Sequence, residues 1–260
     1  MKIGLLGFGK TGKAVAAVIL QHKEFSLEWV YRRSATLEGR DVPEFLGVES
    51  DQPGRIYSAA KIDIPELIDQ HPVDIIIDFS SETGIYVYGE SAAERRIKII
   101  SAVSHYGDEE KALLKKLSAK TVVFWSPNIT LGVNYLLFAA QFLKKIAPWV
   151  DIEINEEHFK EKKGLSGTAV KLANALELEE TDINSVRAGG IVGKHEVIFG
   201  FPYQTVRLIH ESISREAFGN GVVFVAENIK TKKPGLYSFE DILIPYFSPQ
   251  YIEQADHSNF

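Results

Sequence analysis

The chain has 260 residues, of which 29 are Lys or Arg, 35 are Asp or Glu and none is cysteine. The lack of cysteine excludes disulfides, thiolate metal ligands and cysteine catalysis, and the net charge of −6 argues against a nucleic-acid or membrane-surface role. No apolar run approaches the ~18 residues of a membrane span, and the N-terminus enters a strand-like run without a signal peptide. We therefore expect a cytoplasmic protein with no metal site.

Strand-like and helix-like segments alternate along the first half of the chain. Strands are predicted at Lys2–Leu6, Leu27–Tyr31, Val73–Phe79, Lys98–Val103 and Thr121–Trp125. Helices are predicted at Lys10–His22, Ile64–Gln70, Ser81–Arg95 and Asp108–Ser118. This alternation predicts an α/β domain with a Rossmann-type, doubly wound parallel sheet.

The pattern changes after Pro127. Helices are predicted at Thr130–Ile146, Ala169–Leu178 and Arg215–Asn228. Strands are predicted at Ile152–Glu156, Val186–Arg187, Glu196–Phe201 and Thr205–Ser212, with hairpin-like spacing. These elements predict a second, α+β domain built on an open mixed sheet that is largely antiparallel.

A glycine-rich turn directly follows the first predicted strand and opens a helix. It reads Gly7-Phe8-Gly9-Lys10-Thr11-Gly12, and its glycines would allow a tight turn and close approach of the backbone to a pyrophosphate. The overlapping run from Gly4 to Thr11 fits the phosphate-loop pattern G-x-x-x-x-G-K-T. That reading is disfavoured because Gly4 would cut the first strand short, so we predict a dinucleotide site.

The end of the second predicted strand indicates which dinucleotide binds. An acidic residue usually stands there to hold the ribose hydroxyls of NAD, whereas this chain has Arg32, Arg33 and Ser34. Two guanidinium groups and a hydroxyl suit a 2′-phosphate; the alternative is a solvated basic turn. We expect NADPH to be preferred, with NADH as the alternative.

A histidine and several lysines precede a small-residue turn in the second half of the chain. His158 and Lys162 come shortly before Ser166-Gly167-Thr168, which opens a predicted helix. Backbone amides at such a terminus bind carboxylate or phosphate, and histidine exchanges protons near neutral pH. The residues alone leave two readings open, a pocket for an acidic substrate or a solvated loop.

Ordered motifs make the chain resemble the dihydrodipicolinate reductase family over nearly its whole length. The family signature E-[IV]-x-E-x-H-x-x-x-K-x-D-x-P-S-G-T-A is followed by Glu153–Lys162 and closed by Ser166–Ala169. Further matches to family motifs are the glycine turn, Asp78-Phe79-Ser80, Ser126–Asn134, Arg187–His195 and Ser214–Phe218.

The resemblance implies reduction of a cyclic unsaturated imine with two carboxylates, in lysine and diaminopimelate biosynthesis, by a homotetramer held through the open sheet. It implies that His158 handles a proton with Lys162 as its partner, and that Ser166, Gly167, Thr168 and Arg215 bind substrate. It adds the following residues to the cofactor site: Phe79, Ser80, Ser101, Val103 and Asn128. The cofactor domain would comprise residues 1–127 and 216–260, and the substrate and oligomerisation domain residues 128–215. Chain crossings at Asn128–Thr130 and near Ser214 are expected to form a hinge.

The chain departs from the family at three places. Phe159 stands where a second histidine is usual, the loop at Lys163–Leu165 is one residue short and lacks the family's Asp and Pro, and Ser101–Ser104 replaces the G-T-T-G loop. Exchange of a polar substrate contact for Phe159 is expected to alter which substrate groups are held. Three readings follow: a lysine-pathway reductase, a paralogue reducing another cyclic imino acid, and an NADP-binding regulator without turnover.

Overall fold

The computed structural model describes residues 1–247. Most of the tail after Pro245, whose role the sequence left open, lies outside the described residues. The chain divides into two compact units, one formed by Met1–Ile129 with the chain from Phe218 onward, the other by Thr130–Ala217. The binding roles predicted for residues 1–127 with 216–260, and for 128–215, stay predictions. Within residues 1–247, none of the helices combines the length and apolar character that crossing a membrane requires.

The first unit is built on a seven-stranded sheet in which all neighbouring strands are parallel. Its strands are β1 (Lys2–Leu6), β2 (Ser26–Arg32), β3 (Arg55–Ser58), β4 (Ile75–Asp78), β5 (Lys98–Ser101), β6 (Val122–Trp125) and β11 (Gly235–Tyr237). The strand order is β3-β2-β1-β4-β5-β6-β11. From β1 the chain adds strands toward one edge of the sheet, and from β4 onward it adds them toward the other edge. In such sheets ligands bind beyond the carboxyl ends of the strands at the reversal point, and the Rossmann-type prediction is confirmed.

The helices that accompany this sheet are α1 (Lys10–Gln21), α2 (Val42–Leu46), α3 (Ile64–Gln70), α4 (Gly84–Glu94), α5 (Asp108–Leu117) and α9 (Phe239–Leu243). A further helix, α8 (Glu216–Asn228), spans the second unit boundary. The elements α2, α9, β3 and β11 are absent from the predictions made from sequence, and each has five residues or fewer. Segments of this length are too short to show a helical or strand period, and neighbouring elements fix their conformation instead.

The second unit carries a separate four-stranded sheet in the order β10-β9-β7-β8. Its elements are α6 (Leu131–Ile146), β7 (Asp151–His158), α7 (Gly167–Ala175), β8 (Ile183–Arg187), β9 (Lys194–Phe201) and β10 (Gln204–Glu211). β7 and β8 are parallel, whereas β9 runs antiparallel to both β7 and β10. The predicted open mixed sheet is therefore confirmed.

One face of this second sheet changes from apolar to polar along its strands. Ile154, Val197 and Phe199 are buried in a core that also contains Leu172 of α7 and Leu137 of α6. Two residues further along β7 the same face carries Glu156 and then His158, and Glu156 pairs with His195 on β9. All three of these polar residues are buried. Buried polar groups require hydrogen-bond partners, so this end of the sheet is where a polar site is expected.

Candidate active site

The fold requires glycine at two of the three glycine positions in the turn after β1, and the third glycine faces open space. Gly7 has φ of +89°, and an added Cβ would lie 2.5 Å from the Phe79 carbonyl oxygen. A Cβ at Gly12 would collide with the Gly7 carbonyl oxygen, whereas one at Gly9 would meet nothing within 4 Å. Gly9 is also exposed and precedes α1, whose first-turn amides have no intrahelical acceptor. The turn therefore has the geometry of an anion-binding helix terminus.

Gly4 has a different role from the one a phosphate loop would give it. It lies inside β1 opposite Trp29 of β2, and the fully buried Trp29 ring occupies the space that a Cβ at Gly4 would need. A phosphate loop must begin after its strand ends. Gly4 is therefore a packing residue of the sheet.

A cleft of about 400 Å³ opens at the reversal point of the first sheet. It is lined by Gly7, Phe8, Gly9, Arg32, Arg33, Ser34 and Ser80, together with other residues. The cleft thus joins the glycine turn to the basic end of β2, although these segments are distant in sequence. The Ser34 hydroxyl also accepts a bond from the Thr36 amide at 3.3 Å and lies 2.7 Å from the Thr36 hydroxyl.

Other predicted cofactor residues are placed beside or behind this cleft. Lys10, Thr11 and Gly12 form the first turn of α1, and the Phe79 ring packs edge-on against Phe218. Ser101 and Val103 are buried, with the Ser101 hydroxyl 2.9 Å from Tyr106 Oη and the Val103 carbonyl accepting a bond from Trp125 Nε1. The Asn128 carbonyl accepts a bond from the Ser126 hydroxyl at 2.6 Å. Their cofactor contacts stay predictions.

Asp78, at the end of β4, is a buried carboxyl group to which the sequence analysis gave no role. It has no solvent exposure, and its Oδ1 accepts bonds from the Ser80 amide (2.7 Å) and hydroxyl (2.6 Å). Burial outweighs these two bonds, together with the hydroxyls of Tyr88 and Tyr106, and raises the pKa of Asp78 to about 6. Asp78 therefore fixes the turn that carries Ser80 into the cleft.

His158 and Glu156 form a buried pair at the end of β7. His158 Nδ1 lies within hydrogen-bond distance of Glu156 Oε2, and Oε1 accepts bonds from Arg187 and, at 2.7 Å, from the Ser185 hydroxyl. Burial opposes the charge on Glu156, but bonds from Arg187, Ser185 and His158 outweigh burial and lower its pKa to about 2. An ionised carboxylate only accepts hydrogen bonds, so His158 must carry its hydrogen on Nδ1. In the neutral ring Nε2 is then the basic nitrogen.

Space beside that nitrogen is kept by a glycine. A Cβ added at Gly193 would lie 3.0 Å from His158 Nε2. The His195 ring meets the His158 ring edge-on, with centroids 5.2 Å apart. Nε2 is therefore bordered by a small residue, and a second imidazole packs against the same ring.

The loop carrying Lys162 is tied to the same strands by backbone bonds. Arg187 donates from Nη2 to the Gly164 carbonyl at 2.8 Å and from Nε to the Lys162 carbonyl at 3.3 Å. The Lys160 amide donates to the Gly189 carbonyl at 3.1 Å. The Lys162 side chain is partly buried, and its charge helps to lower the pKa of His195. His158 and Lys162 are thus brought into one neighbourhood.

The turn at Ser166 opens α7 at this same neighbourhood. Ser166 occupies the N-cap position, but its hydroxyl makes no capping bond and instead lies 2.8 Å from His195 Nε2. A Cβ added at Gly167 would meet nothing within 4 Å, and Thr168 follows in the first turn of α7. The backbone of Gly167 is therefore accessible, as an anion-binding terminus requires.

The last two predicted substrate residues are both exposed. Phe159 is 42% exposed directly after β7, and its carbonyl accepts a bond from the Lys162 amide at 3.1 Å. Arg215 is exposed in the turn before α8, and within residues 1–247 no hydrogen bond joins it to the His158 cluster. Substrate contacts of both residues stay predictions.

Several residues that complete the two sites have no role among the predictions made from sequence. These are Asp78, Glu156, Ser185, Arg187 and His195. For Glu156 a signal was present, because alternation along β7 places Ile154, Glu156 and His158 on one face. The partners on β8 and β9 depend on strand register, which the sequence does not display.

Comparison with known proteins identifies the family. Residues 1–129 match the family model described as "Dihydrodipicolinate reductase, N-terminus", and residues 129–243 match "Dihydrodipicolinate reductase, C-terminus". The chain is 32% identical over 257 residues to 4-hydroxy-tetrahydrodipicolinate reductase of Caldanaerobacter subterraneus subsp. tengcongensis, covering 90% of this chain and 94% of the relative. It is 27% identical to the enzyme of that name from Methanocaldococcus jannaschii, covering 94% and 97%.

Solved structures show the same fold. Dipicolinate-bound dihydrodipicolinate reductase from Paenisporosarcina sp. TG-14 aligns with a TM-score of 0.75 at 20% identity, covering 93% of this chain and 98% of that one. An amine dehydrogenase from Mycobacterium smegmatis aligns with a TM-score of 0.61 at 13% identity, covering 91% and 94%. Because the two family models together span residues 1–243, the chain belongs to the dihydrodipicolinate reductase family.

Proposed function

We propose that this protein is an NAD(P)H-dependent oxidoreductase that reduces 4-hydroxy-tetrahydrodipicolinate (dihydrodipicolinate) to tetrahydrodipicolinate, in lysine and diaminopimelate biosynthesis. The observation that carries the proposal is the buried His158–Glu156 pair beside the Lys162 loop and the start of α7, in a chain of this family. The cleft at the glycine turn supports cofactor binding by the first unit.

The residues around His158 suit protonation of a dicarboxylate imine. NAD(P)H supplies a hydride when bound, and reduction of an unsaturated imine leaves electron density on a neighbouring carbon, which takes up a proton. His158 can deliver that proton from Nε2 after this nitrogen has taken up a proton from solvent, and the ring then returns to the Nδ1–H form that Glu156 holds. The Lys162 ammonium and the amides of Gly167 and Thr168 would hold the carboxylates. His195 would position the Ser166 hydroxyl, and Arg215 would be a further substrate-binding residue.

The reductase proposal is tested by NADPH oxidation with freshly prepared 4-hydroxy-tetrahydrodipicolinate. His158→Gln is expected to lower kcat by about 10²-fold or more, the usual range for an acid–base group, with NADPH affinity unchanged. Lys162→Ala should lower kcat and weaken dipicolinate inhibition. Lys163→Ala, which removes the exposed neighbouring charge, is the matched control. Full activity in both His158→Gln and Lys162→Ala would contradict the assignment, and a wild-type protein without turnover would favour the regulator.

We propose that NADPH is preferred over NADH through Arg32, with Arg33 and Ser34 in support. Arg32 and Arg33 line the cleft together with the glycine turn, and the Arg33 guanidinium lies 3.5 Å from the Ser81 hydroxyl. Loss of a charge-assisted contact should cost about 1.5–3 kcal/mol, so Arg32→Ala should weaken NADPH binding at least tenfold. NADH binding, measured by the same titration, should change little. Equal loss of affinity for NADPH and NADH would show that Arg32 does not bind the 2′-phosphate.

A second candidate function is reduction of another cyclic imino acid, and Phe159 favours it. Phe159 presents an exposed aromatic ring where the family usually has a histidine, so a polar contact to the substrate is lost. If Phe159 adapts the site to another cyclic imino acid, Phe159→His should tighten dipicolinate binding and raise kcat/KM on the lysine-pathway substrate. Lower kcat/KM in Phe159→His would show that Phe159 suits the lysine-pathway substrate and would contradict the paralogue.

We also propose a cytoplasmic homotetramer that uses the exposed face of the second sheet. This face carries ion pairs, including Arg207 with Glu196 at 2.8 Å, and the apolar side chains Val186 and Ile209, both about half exposed. Ile209→Glu would place a charge on this face, so light scattering should show a smaller species. An unchanged tetramer would exclude this face as the interface.

A further inference from the structure

Glu156 is linked directly to the His158 side chain and, through Arg187, to the backbone of the loop that bears Lys162. Its Oε2 faces His158 Nδ1, while Oε1 accepts bonds from Ser185 and Arg187. The same Arg187 guanidinium donates to the backbone carbonyls of Lys162 and Gly164. A single carboxylate–guanidinium pair therefore joins the His158 ring to the loop that bears Lys162.

Glu156 and Arg187 lie diagonally across the adjacent strands β7 and β8. His158 on β7 pairs with Arg187 on β8, and Glu156 pairs with Ser185. Glu156 is completely buried, and the Arg187 side chain is 20% exposed. A buried ion pair contributes little net stability compared with apolar side chains, so stability alone does not explain its place beneath the proton-transfer residue.

Charge at Glu156 decides which nitrogen of His158 is basic. A carboxylate can only accept, so it selects the Nδ1–H form and leaves Nε2 for exchange with substrate. A neutral amide at this position could accept from Nδ1–H or donate to an unprotonated Nδ1. Either tautomer of His158 would then be satisfied, and the selection would be lost.

We propose that Glu156 and Arg187 are positioning residues: Glu156 sets the tautomer and orientation of His158, and Arg187 holds the Lys162 loop against the same carboxylate. This inference rests on the proposed function, since it assigns His158 and Lys162 their roles. Glu156 acts through the His158 side chain, and Arg187 acts through the backbone of the Lys162 loop.

Glu156→Gln tests the first part of the proposal. Its kcat should fall about 10- to 100-fold, as when the carboxylate that orients a metal-bound histidine is removed, while KM and NADPH affinity stay within about threefold. Glu157→Gln is the matched control, because Glu157 is adjacent in β7 and its ion pair with Lys194, at 2.7 Å, is not linked to His158. The control should keep wild-type kcat.

A spectroscopic readout separates positioning from a purely structural role. Nitrogen-15 NMR of the His158 ring should show the Nδ1–H form in the wild-type protein and a mixture of tautomers in Glu156→Gln. Retention of the Nδ1–H form in Glu156→Gln, whatever the kcat, would overturn the proposal. Because this measurement needs no substrate, it decides the role of Glu156 even if the wild-type protein fails the NADPH-oxidation assay.

Arg187→Lys tests the second part. Lysine keeps the charge but lacks the planar fork that reaches the carboxylate and two carbonyls together. Dipicolinate inhibition should weaken at least about fivefold while the His158 tautomer stays as in the wild-type protein. Unchanged inhibition would show that Arg187 does not position Lys162.

Discussion

Replacement of His195 should change how the stability of the second unit depends on pH. His195 is 4% exposed and its Nδ1 has no hydrogen-bond partner among the described residues. Burial, reinforced by the neighbouring charges of His158 and His210, lowers its pKa to about 4. In the unfolded chain an ordinary histidine has a pKa near ~6.5.

The sign and size of the effect follow from these two values. Above pH ~6.5 the ring is neutral in both states, and as pH falls the unfolded chain binds a proton that the folded protein does not. Stability therefore decreases from pH ~6.5 downward until about pH 4. The full difference amounts to about 3.4 kcal/mol, and about 2 kcal/mol of it is lost by pH 5.

Urea unfolding at pH 8, 6 and 5 measures this contribution. His195→Gln, which can still bond Ser166, should lose about 2 kcal/mol less than the wild-type protein between pH 8 and pH 5. Ser166→Ala is the matched control, because it removes the 2.8 Å contact but keeps the buried ring and therefore the pH dependence. Parallel loss of stability in the wild-type protein and His195→Gln would refute the reasoning.

Two further predictions concern the first unit. The pKa of Asp78 is raised to about 6 in the folded protein, so Asp78 binds its proton more tightly when the protein is folded. The free energy of unfolding should therefore fall by about 3 kcal/mol as pH rises from ~3.8 to 6, and the contribution of Asp78 should stay level above pH 6. Asp78→Asn should remove this dependence in urea unfolding, and an unchanged profile would show that Asp78 is ionised in the folded protein at low pH. Gly12→Ala should lower stability by about 1–3 kcal/mol, because its Cβ collides with the Gly7 carbonyl. Gly9→Ala should instead keep the melting temperature and weaken NADPH binding. A stable Gly12→Ala protein together with a destabilised Gly9→Ala protein would contradict the roles assigned to the two glycines.

The sheets and long helices could be predicted because their signals are local. β1, β4 and α6 carry apolar periods that one sequence displays, and the glycine turn follows β1 directly. The strand order is a different matter, since only β-pairing shows that the ends of β1 and β4 are neighbours. The meeting of Gly9 with Arg32 in one cleft follows from that order.

The candidate site was predictable for residues that lie within one motif. His158, Lys162 and Ser166 stand within nine positions of each other, so a single segment indicated their chemistry. Arg187 and His195 come from β8 and β9, and their roles depend on the register that places them beside β7. A one-residue change in register would turn them to the other face, and no local pattern reports this.

Two buried carboxyl groups show why the charge of a site cannot be derived from burial alone. Asp78 and Glu156 both have no exposure, yet the pKa of the first is raised to about 6 and that of the second is lowered to about 2. Asp78 accepts bonds from Ser80 at one oxygen, and bonds from the Tyr88 and Tyr106 hydroxyls also act to lower its pKa, but all of these donors are neutral. Glu156 has donors at both oxygens, one of them the Arg187 guanidinium, so its charge is compensated where that of Asp78 is not. The carboxylate facing His158 therefore stays ionised throughout the pH range of an ordinary assay, and any pH dependence of turnover in that range must arise from other groups.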